Sequence, residues 1–441
     1  MRMKRFLRSI GACLGAFVLL AAPTLADEQF IPSLVYRTGP YGTFGEPYAN
    51  GVADYYTLVN ERDGGVNGVR LAWEECDTKN DDRRGVACYE RLKSKGVAAV
   101  SPPSTGIAEA LLERTEADGI PMLTMSYGPS AAADGRVFPY AFSMPATAWS
   151  EASAIVRYIA QQEGDALTGL ETLKGKTIAL VYHDSPFGRE PVPLLQKLAE
   201  ARGFTLARYP VAPPGLEQKV IWQRITGEAR PDWVLLWGWG FMNAVALKEA
   251  SSVGFPVDRV IGSFWSGSEQ DVLPVGDAAL GYRAANVVGL GADDRLFDDI
   301  RKFVYDQGKG AGDEDLVGEV LYDRGLAAAV VTVEAIRAAQ AIHGNRALAG
   351  AEVRDGFEAL DIDRYRVQDL GIEGFLRPLK FGCADHKGGG AVYIQQWNSV
   401  GWEKVSDWIP PMTDAVRPMI EDAAAAYAGK KGIEPRACPT S

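Results

Sequence analysis

Histidine is scarce in this sequence, which limits the metal chemistry available to it. Only three histidines occur in 441 residues, at positions 183, 343 and 386. No two of them lie at the spacing of metal ligands on one helix or loop, and no Cys-x-x-Cys pair accompanies them. We therefore expect no metal centre and no other resident cofactor.

The motifs of several enzyme classes are also missing. There is no Gly-x-Ser-x-Gly, so the strained turn that exposes a nucleophilic serine is absent, and no Gly-x-Gly-x-x-Gly follows the first predicted strand. Gly169 and Gly175-Lys176-Thr177 resemble a phosphate loop, but five residues separate the glycines where four are needed. The stretch also precedes its strand. The sequence therefore predicts a protein that is not an enzyme.

Two polar clusters remain, and each has a plain structural interpretation. His183, Asp184 and Ser185 are adjacent in a loop, so they cannot align as base, orienting acid and nucleophile. Asp77, Asp81 and Asp82 lack the spacing of a calcium loop. We interpret these aspartates as solvated surface.

Long apolar runs are absent except near the N-terminus. Residues 1–9 carry four basic side chains, residues 10–22 are apolar, and Pro23-Thr24-Leu25-Ala26 follows. This pattern predicts a secretory signal peptide, residues 1–26, cleaved after Ala26. We expect an exported, periplasmic protein that is soluble after cleavage.

Basic residues are outnumbered by acidic ones. The formal net charge is −11, and loss of the signal peptide would make it four units more negative, because that segment has four basic residues and no acidic one. An acidic surface repels phosphate groups. We therefore expect neither nucleic acid nor an anionic membrane surface as a partner.

Cysteine is scarce, but its number is informative. Cys13 lies in the signal segment, so four cysteines remain in the exported chain. An even number in an oxidising compartment favours disulfides over a metal site. The expected pairs are Cys76–Cys88 and Cys383–Cys438.

Strand and helix patterns alternate along most of the chain, which predicts an α/β protein with doubly wound parallel sheets. About 415 exported residues exceed what one hydrophobic core serves, so we expect two lobes. We assign residues 27–147 plus 283–360 to lobe one and 148–282 plus 361–410 to lobe two. Residues 411–441 form a C-terminal helix and tail.

The stretch from residue 97 to residue 130 is the most informative. A predicted strand at 97–100 ends at Ser101-Pro102-Pro103, a helix follows at 107–117, and Gly119 separates it from a strand at 121–125. Ser104, Thr105, Ser126 and Ser130 therefore follow the carboxyl ends of two neighbouring parallel strands, where ligands bind in open α/β sheets. Each hydroxyl alone is more simply explained as a cap of a helix or turn, but four of them at two adjacent strand ends favour a ligand site.

Four short motifs occur in order along the chain. They are Gly39-Pro40-Tyr41-Gly42, Gly64-Gly65-Val66-Asn67-Gly68, Ser104-Thr105-Gly106, and Tyr182-His183-Asp184-Ser185-Pro186-Phe187-Gly188. With the signal peptide and two lobes, the chain resembles periplasmic substrate-binding proteins of the leucine/isoleucine/valine-binding type. The resemblance implies a type I periplasmic-binding fold, a hinge between the lobes, and delivery of a small-molecule ligand to an ABC-transporter permease. It also implies a monomer.

The same resemblance implies roles for particular residues. Tyr41 and Phe44 would line the cleft, and Phe187 stands where the family often has a tyrosine that closes from lobe two. A ligand carboxylate would be held by the hydroxyls of Thr105 and Ser130 and by backbone groups of Ser126, Tyr127 and Gly128. Trp239 follows a strand where the family places another aromatic residue.

One departure from the family pattern bears on the ligand. Amino-acid binders of this type place an acidic residue after the strand at 259–262, but here Ser263-Phe264-Trp265-Ser266 follows. An ammonium facing Phe264 and Trp265 would lack a counter-charge in a closed cleft. We therefore expect a small aromatic or apolar carboxylic acid. A branched-chain amino-acid binder with another acid such as Glu269, or a ligand-sensing receptor domain, is the alternative.

Overall fold

The computed structural model describes residues 28–126, 128–164 and 169–439. The predicted signal peptide and its cleavage site lie outside the described residues, as does Tyr127. The described chain is a mixed α/β protein with mostly parallel strand pairing, as the sequence predicts.

The strands are, in chain order, β1 (Gln29–Val35), β2 (Leu71–Asp77), β3 (Met122–Thr124), β4 (Ala141–Ser143), β5 (Thr177–His183), β6 (Thr205–Val211), β7 (Trp233–Trp237), β8 (Val260–Gly262), β9 (Arg283–Asn286), β10 (Asp361–Ile362), β11 (Leu379–Lys380), β12 (Tyr393–Trp397) and β13 (Trp402–Lys404).

The α-helices are, in chain order, α1 (Gly42–Asp63), α2 (Asp82–Leu92), α3 (Thr105–Asp118), α4 (Ala148–Glu163), α5 (Pro186–Arg189), α6 (Val192–Arg202), α7 (Lys219–Arg224), α8 (Phe241–Ser252), α9 (Glu269–Val272), α10 (Arg295–Ile300), α11 (Val320–His343), α12 (Gly350–Glu358), α13 (Arg364–Leu370) and α14 (Thr413–Lys431).

The first lobe is built around β1–β4. β1 and β2 pair in parallel, and so do β3 and β4. The segment predicted as a strand at 97–100 lies between these pairs and makes only isolated parallel bridges, from Val97 to Phe30 and from Val100 to Met122. Prolines 102 and 103 follow it and have no N–H groups to extend the ladder. Residues 136–148 contain one short strand, β4.

The second lobe is built around a seven-stranded sheet in the order β13-β12-β9-β8-β7-β5-β6. The five strands β5, β6, β7, β8 and β9 are parallel. β12 and β13 extend the sheet at one edge through antiparallel pairing. β9 belongs to this sheet, so the sheet extends past residue 282, where the sequence predicted a return to the first lobe.

Residues 361–381 differ from the sequence-based assignment, which placed them in the second lobe. β10 and β11 form a separate antiparallel pair, and Phe381 packs against Phe142 of the first lobe at a ring distance of 5.5 Å. Arg366 also pairs with Glu334 of α11. This segment therefore packs against the first lobe.

Helices α1 and α11 approach each other closely in the first lobe. A Cβ at Gly51 would overlap the carbonyl oxygen of Tyr322, and a Cβ at Gly325 would overlap that of Tyr48. These two glycines therefore allow backbone contact that no larger residue permits. α11 is long and apolar enough to cross a membrane, but 78% of its apolar window is buried in the protein, as in a core helix.

Both predicted disulfides are present. Cys76–Cys88 joins the end of β2 to α2, with a Cα–Cα distance of 5.7 Å. Cys383–Cys438 ties the C-terminal tail to the segment after β11, with a Cα–Cα distance of 5.6 Å. Arg436 strengthens the same attachment, since its side chain donates to the carbonyl of Gly135 at 2.8 Å.

Removal of the two disulfides should have unequal effects. They close segments of 12 and 55 residues. In the chain-entropy model, removing them lowers the free energy of unfolding by about 3 and about 4 kcal/mol respectively. The paired Cys383→Ser/Cys438→Ser variant should therefore melt at a lower temperature than the Cys76→Ser/Cys88→Ser variant. Non-reducing peptide mapping of the wild type is the control. Free thiols at 383 and 438, or an unchanged melting temperature, would contradict the expectation.

Candidate functional site

A cavity of about 280 Å³ lies between the two lobes, beyond the carboxyl ends of their parallel strands. The first lobe contributes Tyr41, Asn80, Asp82, Pro103, Ser104, Thr105 and Gly106, and the second lobe contributes His183, Ser185, Pro186, Phe187, Pro213, Trp239 and Trp265. The two lobes therefore supply walls of different chemistry.

The first-lobe wall is formed by the start of α3. Ser104 is the N-cap and its Oγ accepts from the backbone N–H of Ile107 at 3.3 Å, as the sequence predicted for this position. By helix geometry the N–H groups of Thr105 and Gly106 have no acceptor within α3. They and the Thr105 hydroxyl form a set of donors at the positive end of the helix dipole, which favours an anionic or polar ligand group.

The second-lobe wall is aromatic. The Trp239 and Trp265 rings meet edge to face with centroids 5.5 Å apart, and Phe187 lies on the short helix α5. Trp239 follows β7 and Trp265 follows β8, so both rings are positioned by the ends of neighbouring parallel strands. This wall offers ring faces and edges to the body of a ligand.

Tyr41 and His183 meet across the cleft. The Tyr41 hydroxyl lies 3.4 Å from Nε2 of His183, and Nδ1 of His183 lies 2.8 Å from the Ser185 hydroxyl. Burial lowers the pKa of His183, although the nearby Asp184 opposes this effect, so the imidazole is neutral near pH 7. Asp184 pairs with Arg189 at 2.7 Å. Within the part of the chain that the structure describes, the hydrogen-bond partners of His183 are Tyr41 and Ser185, so His183, Asp184 and Ser185 do not align as base, orienting acid and nucleophile.

The closed arrangement is held by aromatic contacts between lobes. The indole N–H of Trp265 donates to the carbonyl of Met125 at 3.1 Å. Phe44 of α1 packs against Trp239 with ring centroids 5.5 Å apart. The second-lobe aromatic wall therefore contacts the first lobe as well as the cavity.

Six of the predicted ligand residues line the cavity, and the others that the structure describes lie elsewhere. Phe44 is buried behind Trp239, and Phe264 is fully buried with its N–H donating to Glu151 at 2.6 Å. The Ser126 hydroxyl donates to Ala146 O at 2.7 Å, and the Ser130 hydroxyl accepts from Trp149 N. Their hydroxyls are thus used inside the protein, near the chain crossing between lobes. Gly128 is not among the lining residues and adopts a left-handed φ of 78°.

Sequence reasoning missed eight lining residues, which are Asn80, Asp82, Pro103, Gly106, His183, Ser185, Pro186 and Pro213. Most follow the carboxyl ends of β2, β5 and β6, so the strand-end rule applied to the stretch 97–130 would have found them. The interpretation of the aspartates as surface is incomplete. Asp77 accepts from the Thr38 hydroxyl, Asp81 caps α2, and Asp82 reaches the cavity.

Residues 28–402 match the model of the family described as periplasmic binding protein. The match covers most of the chain and includes both walls of the cavity. This chain belongs to the periplasmic binding protein family. The cavity between its lobes is therefore the candidate ligand site. No protein of curated function matches the sequence.

Solved structures agree with this membership. A protein from the Pseudomonas fluorescens group, described as an ABC transporter permease, is 44% identical, with a TM-score of 0.87 and coverage of 93% of this chain and 99% of that one. A Thermus thermophilus branched-chain amino acid ABC transporter with bound valine has 23% identity, a TM-score of 0.72 and coverage of 89% and 99%. An R. palustris solute-binding protein in complex with benzoate has 17% identity, a TM-score of 0.68 and coverage of 87% and 97%.

A carboxyl group joins the two lobes of this binding protein near the cavity. Glu190, after α5, accepts the backbone N–H of Ser130 in the first lobe at 2.7 Å. Burial, opposed by the hydrogen bonds from Ser130 and aided to a smaller extent by Glu109, raises the pKa of Glu190 to about 7. Ionisation of Glu190 therefore opposes the closed arrangement.

The Glu190→Gln variant should be less sensitive to pH than the wild type. Because the pKa is raised from its usual 4.5 to about 7, the stabilising contribution of Glu190 is complete below about pH 4.5 and lost as pH rises through 7. Glutamine keeps the acceptor for Ser130 but cannot ionise. We expect a higher melting temperature than wild type at pH 8 and a similar one at pH 5.

The exposed Glu403→Gln replacement, in the same lobe, is the matched control for that measurement. It changes the net charge equally without touching the first lobe. Identical pH profiles for the Glu190→Gln and Glu403→Gln variants would contradict a role of Glu190 in the contact between lobes.

Proposed function

We propose that this periplasmic binding protein captures a small carboxylic acid with an aromatic or apolar body and presents it to the permease of an ABC transporter. The observation that carries the proposal is the pairing of two unlike walls in one cavity. Thr105 and the first turn of α3 supply donors, and Trp239 and Trp265 supply ring surface opposite.

The size of the cavity supports a small solute. A cavity of roughly 150 Å³ is enough for benzene, and this one has about 280 Å³. That space is large enough for both the body and the carboxyl group of a monocyclic acid or a branched aliphatic acid. The lining residues that the structure describes include no lysine or arginine, so the carboxylate would be held by hydroxyl and backbone N–H donors.

A branched-chain amino acid is the second candidate, favoured by one observation. Asp82 places a carboxyl group in the cavity wall, where it could face an ammonium. The relatives of known structure include one with bound valine and one in complex with benzoate, so the fold accommodates both kinds of ligand. Binding measurements on this protein must decide between them.

Titration calorimetry with a fixed panel tests the ligand class. The panel is benzoate, 4-hydroxybenzoate, 4-methylpentanoate, leucine and valine. Thr105→Ala should weaken every acid that binds by about ten-fold or more, because a hydrogen bond to a charged group is lost. Thr115→Ala is the matched control, since Thr115 lies in the same helix and bonds to Leu111 O instead. Tight binding of leucine and valine without the aromatic acids would favour the second candidate.

The aromatic wall should select the body of the ligand. Each ring contact contributes about 0.5–1.5 kcal/mol beyond area burial, so Trp239→Ala should weaken aromatic acids by about two- to twelve-fold more than aliphatic ones. Trp402→Ala, in a ring cluster with Trp397 on the far edge of the same lobe, is the control. Equal losses for both classes of acid would show that Trp239 only supports the fold.

Ligand binding should accompany closure of the two lobes. Trp265–Met125 and Phe44–Trp239 contacts cross the cleft, and they must separate for a ligand to enter. Small-angle scattering should therefore give a smaller radius of gyration at saturating ligand than without ligand. An unchanged radius would mean that ligand enters a cleft that is closed throughout.

A further inference from the structure

A charged side chain is buried behind the aromatic wall of the cavity. Arg324 lies in α11 of the first lobe and is fully buried, and it is not among the residues that line the cavity. Its guanidinium carbon lies 5.3 Å from the ring centre of Phe264 and 5.2 Å from that of Trp265. Both rings belong to the turn that follows β8 in the second lobe. Arg324 therefore makes cation–π contacts that cross from one lobe to the other.

The turn that carries these two rings is also held by hydrogen bonds. The carboxylate of Glu151 in α4 accepts the N–H of Phe264 at 2.6 Å, and the indole N–H of Trp265 donates to the carbonyl of Met125 at 3.1 Å. Each of these bonds restrains one atom of the turn. A planar guanidinium that lies over both rings restrains their tilt as well, and Arg324 supplies that group.

Arg324 keeps its charge in the protein interior among acidic groups. Burial raises the pKa of Glu151, Glu269, Asp271 and Asp323, and the charge of Arg324 opposes this rise at each of them. A buried guanidinium is costly to desolvate, so an apolar side chain of similar volume would serve packing alone at least as well. The charge therefore indicates a role that packing alone does not require.

We propose that Arg324 is a positioning residue that sets ligand specificity by fixing the tilt of the Trp265 indole at the cavity wall. Trp265 lines the cavity and meets Trp239 edge to face. Aromatic rings prefer offset-stacked and edge-to-face arrangements, so the tilt of Trp265 decides how well an aromatic acid packs against it. An aliphatic body makes no such directional demand. This inference rests on the proposed function, since it assumes that the cavity holds an acid.

Fluorine NMR of the protein labelled with 5-fluorotryptophan tests the contact without any ligand. The Trp265 and Trp402 signals are assigned by their absence from the Trp265→Phe and Trp402→Phe variants. Arg324→Lys keeps the positive charge but loses the planar group that lies over both rings. It should shift or broaden the Trp265 signal and leave unchanged the signal of Trp402, which packs against Trp397 at the far edge of the second lobe.

Titration calorimetry then tests the specificity. In Arg324→Lys the ratio of the affinities for benzoate and 4-methylpentanoate should fall by about two- to twelve-fold, because the ring contact of the aromatic acid is lost. Arg324→Met, which keeps the length of the side chain but removes both charge and planar group, should give the same direction of change. Melting curves check that each variant is folded.

Arg259→Lys is the matched control for both measurements. The guanidinium carbon of Arg259 lies 4.5 Å from the ring centre of Trp233, so the variant removes the same kind of contact from the same lobe. Neither residue is among those that line the cavity. This variant should therefore leave both the Trp265 signal and the ratio of affinities unchanged.

The results that overturn the inference differ from those that overturn the proposed function. An unchanged Trp265 signal in the folded variants would mean that Arg324 does not hold the ring, and a changed signal with an unchanged ratio would mean that the tilt does not set specificity. Loss of folding in both variants would assign Arg324 to the fold as a whole and reject the inference. In each case the proposed function stands if the acids bind the wild type. If no acid of the panel binds, the proposed ligand class fails and the inference fails with it.

Discussion

Parallel strands deliver all of their carboxyl-terminal loops to the same edge of a sheet, and the rest of this structure depends on that constraint. In the first lobe the loops after β1, β2 and the bridged segment 97–101 converge, and in the second those after β5 to β8 do. The two edges face each other across the cleft. Residues up to 224 positions apart in the chain, such as Tyr41 and Trp265, therefore line one cavity.

The fold was largely predictable because its signals are local. Apolar runs of strand length and helix caps such as Ser104 and Gly119 lie at their predicted places, and four cysteines in an exported chain favoured the two pairs that form. The crossing of residues 361–381 to the first lobe was not predictable. Its apolar pattern indicates that the segment is buried, but it does not indicate that the packing partner is Phe142 of the first lobe.

The candidate site was predicted in part, and the errors share a physical cause. Ser126 and Ser130 follow a strand end, as ligand hydroxyls do, but the chain turns there toward the second lobe and uses both for its own hydrogen bonds. A sequence shows that a hydroxyl is near a strand end, but not whether the next turn consumes it. The error for Asp82 was the reverse. Asp82 lines the cavity, but the excess of acidic residues in its loop made a solvated surface the simpler interpretation.

The aromatic side chains that line the cavity also contact the first lobe, so the proposed ligand binding and the closure of the lobes are energetically coupled. Trp239 touches Phe44 across the cleft and also lines the cavity, while Trp265 bonds to Met125 and lines it too. A ligand that displaces either ring breaks contacts between the lobes and also loses its packing against that ring. The shape of an accepted ligand is thus restricted to bodies that leave both indoles in their closed positions. The second-lobe wall therefore selects the ligand in the closed state, because only there do the indoles contact the first lobe and the ligand at the same time.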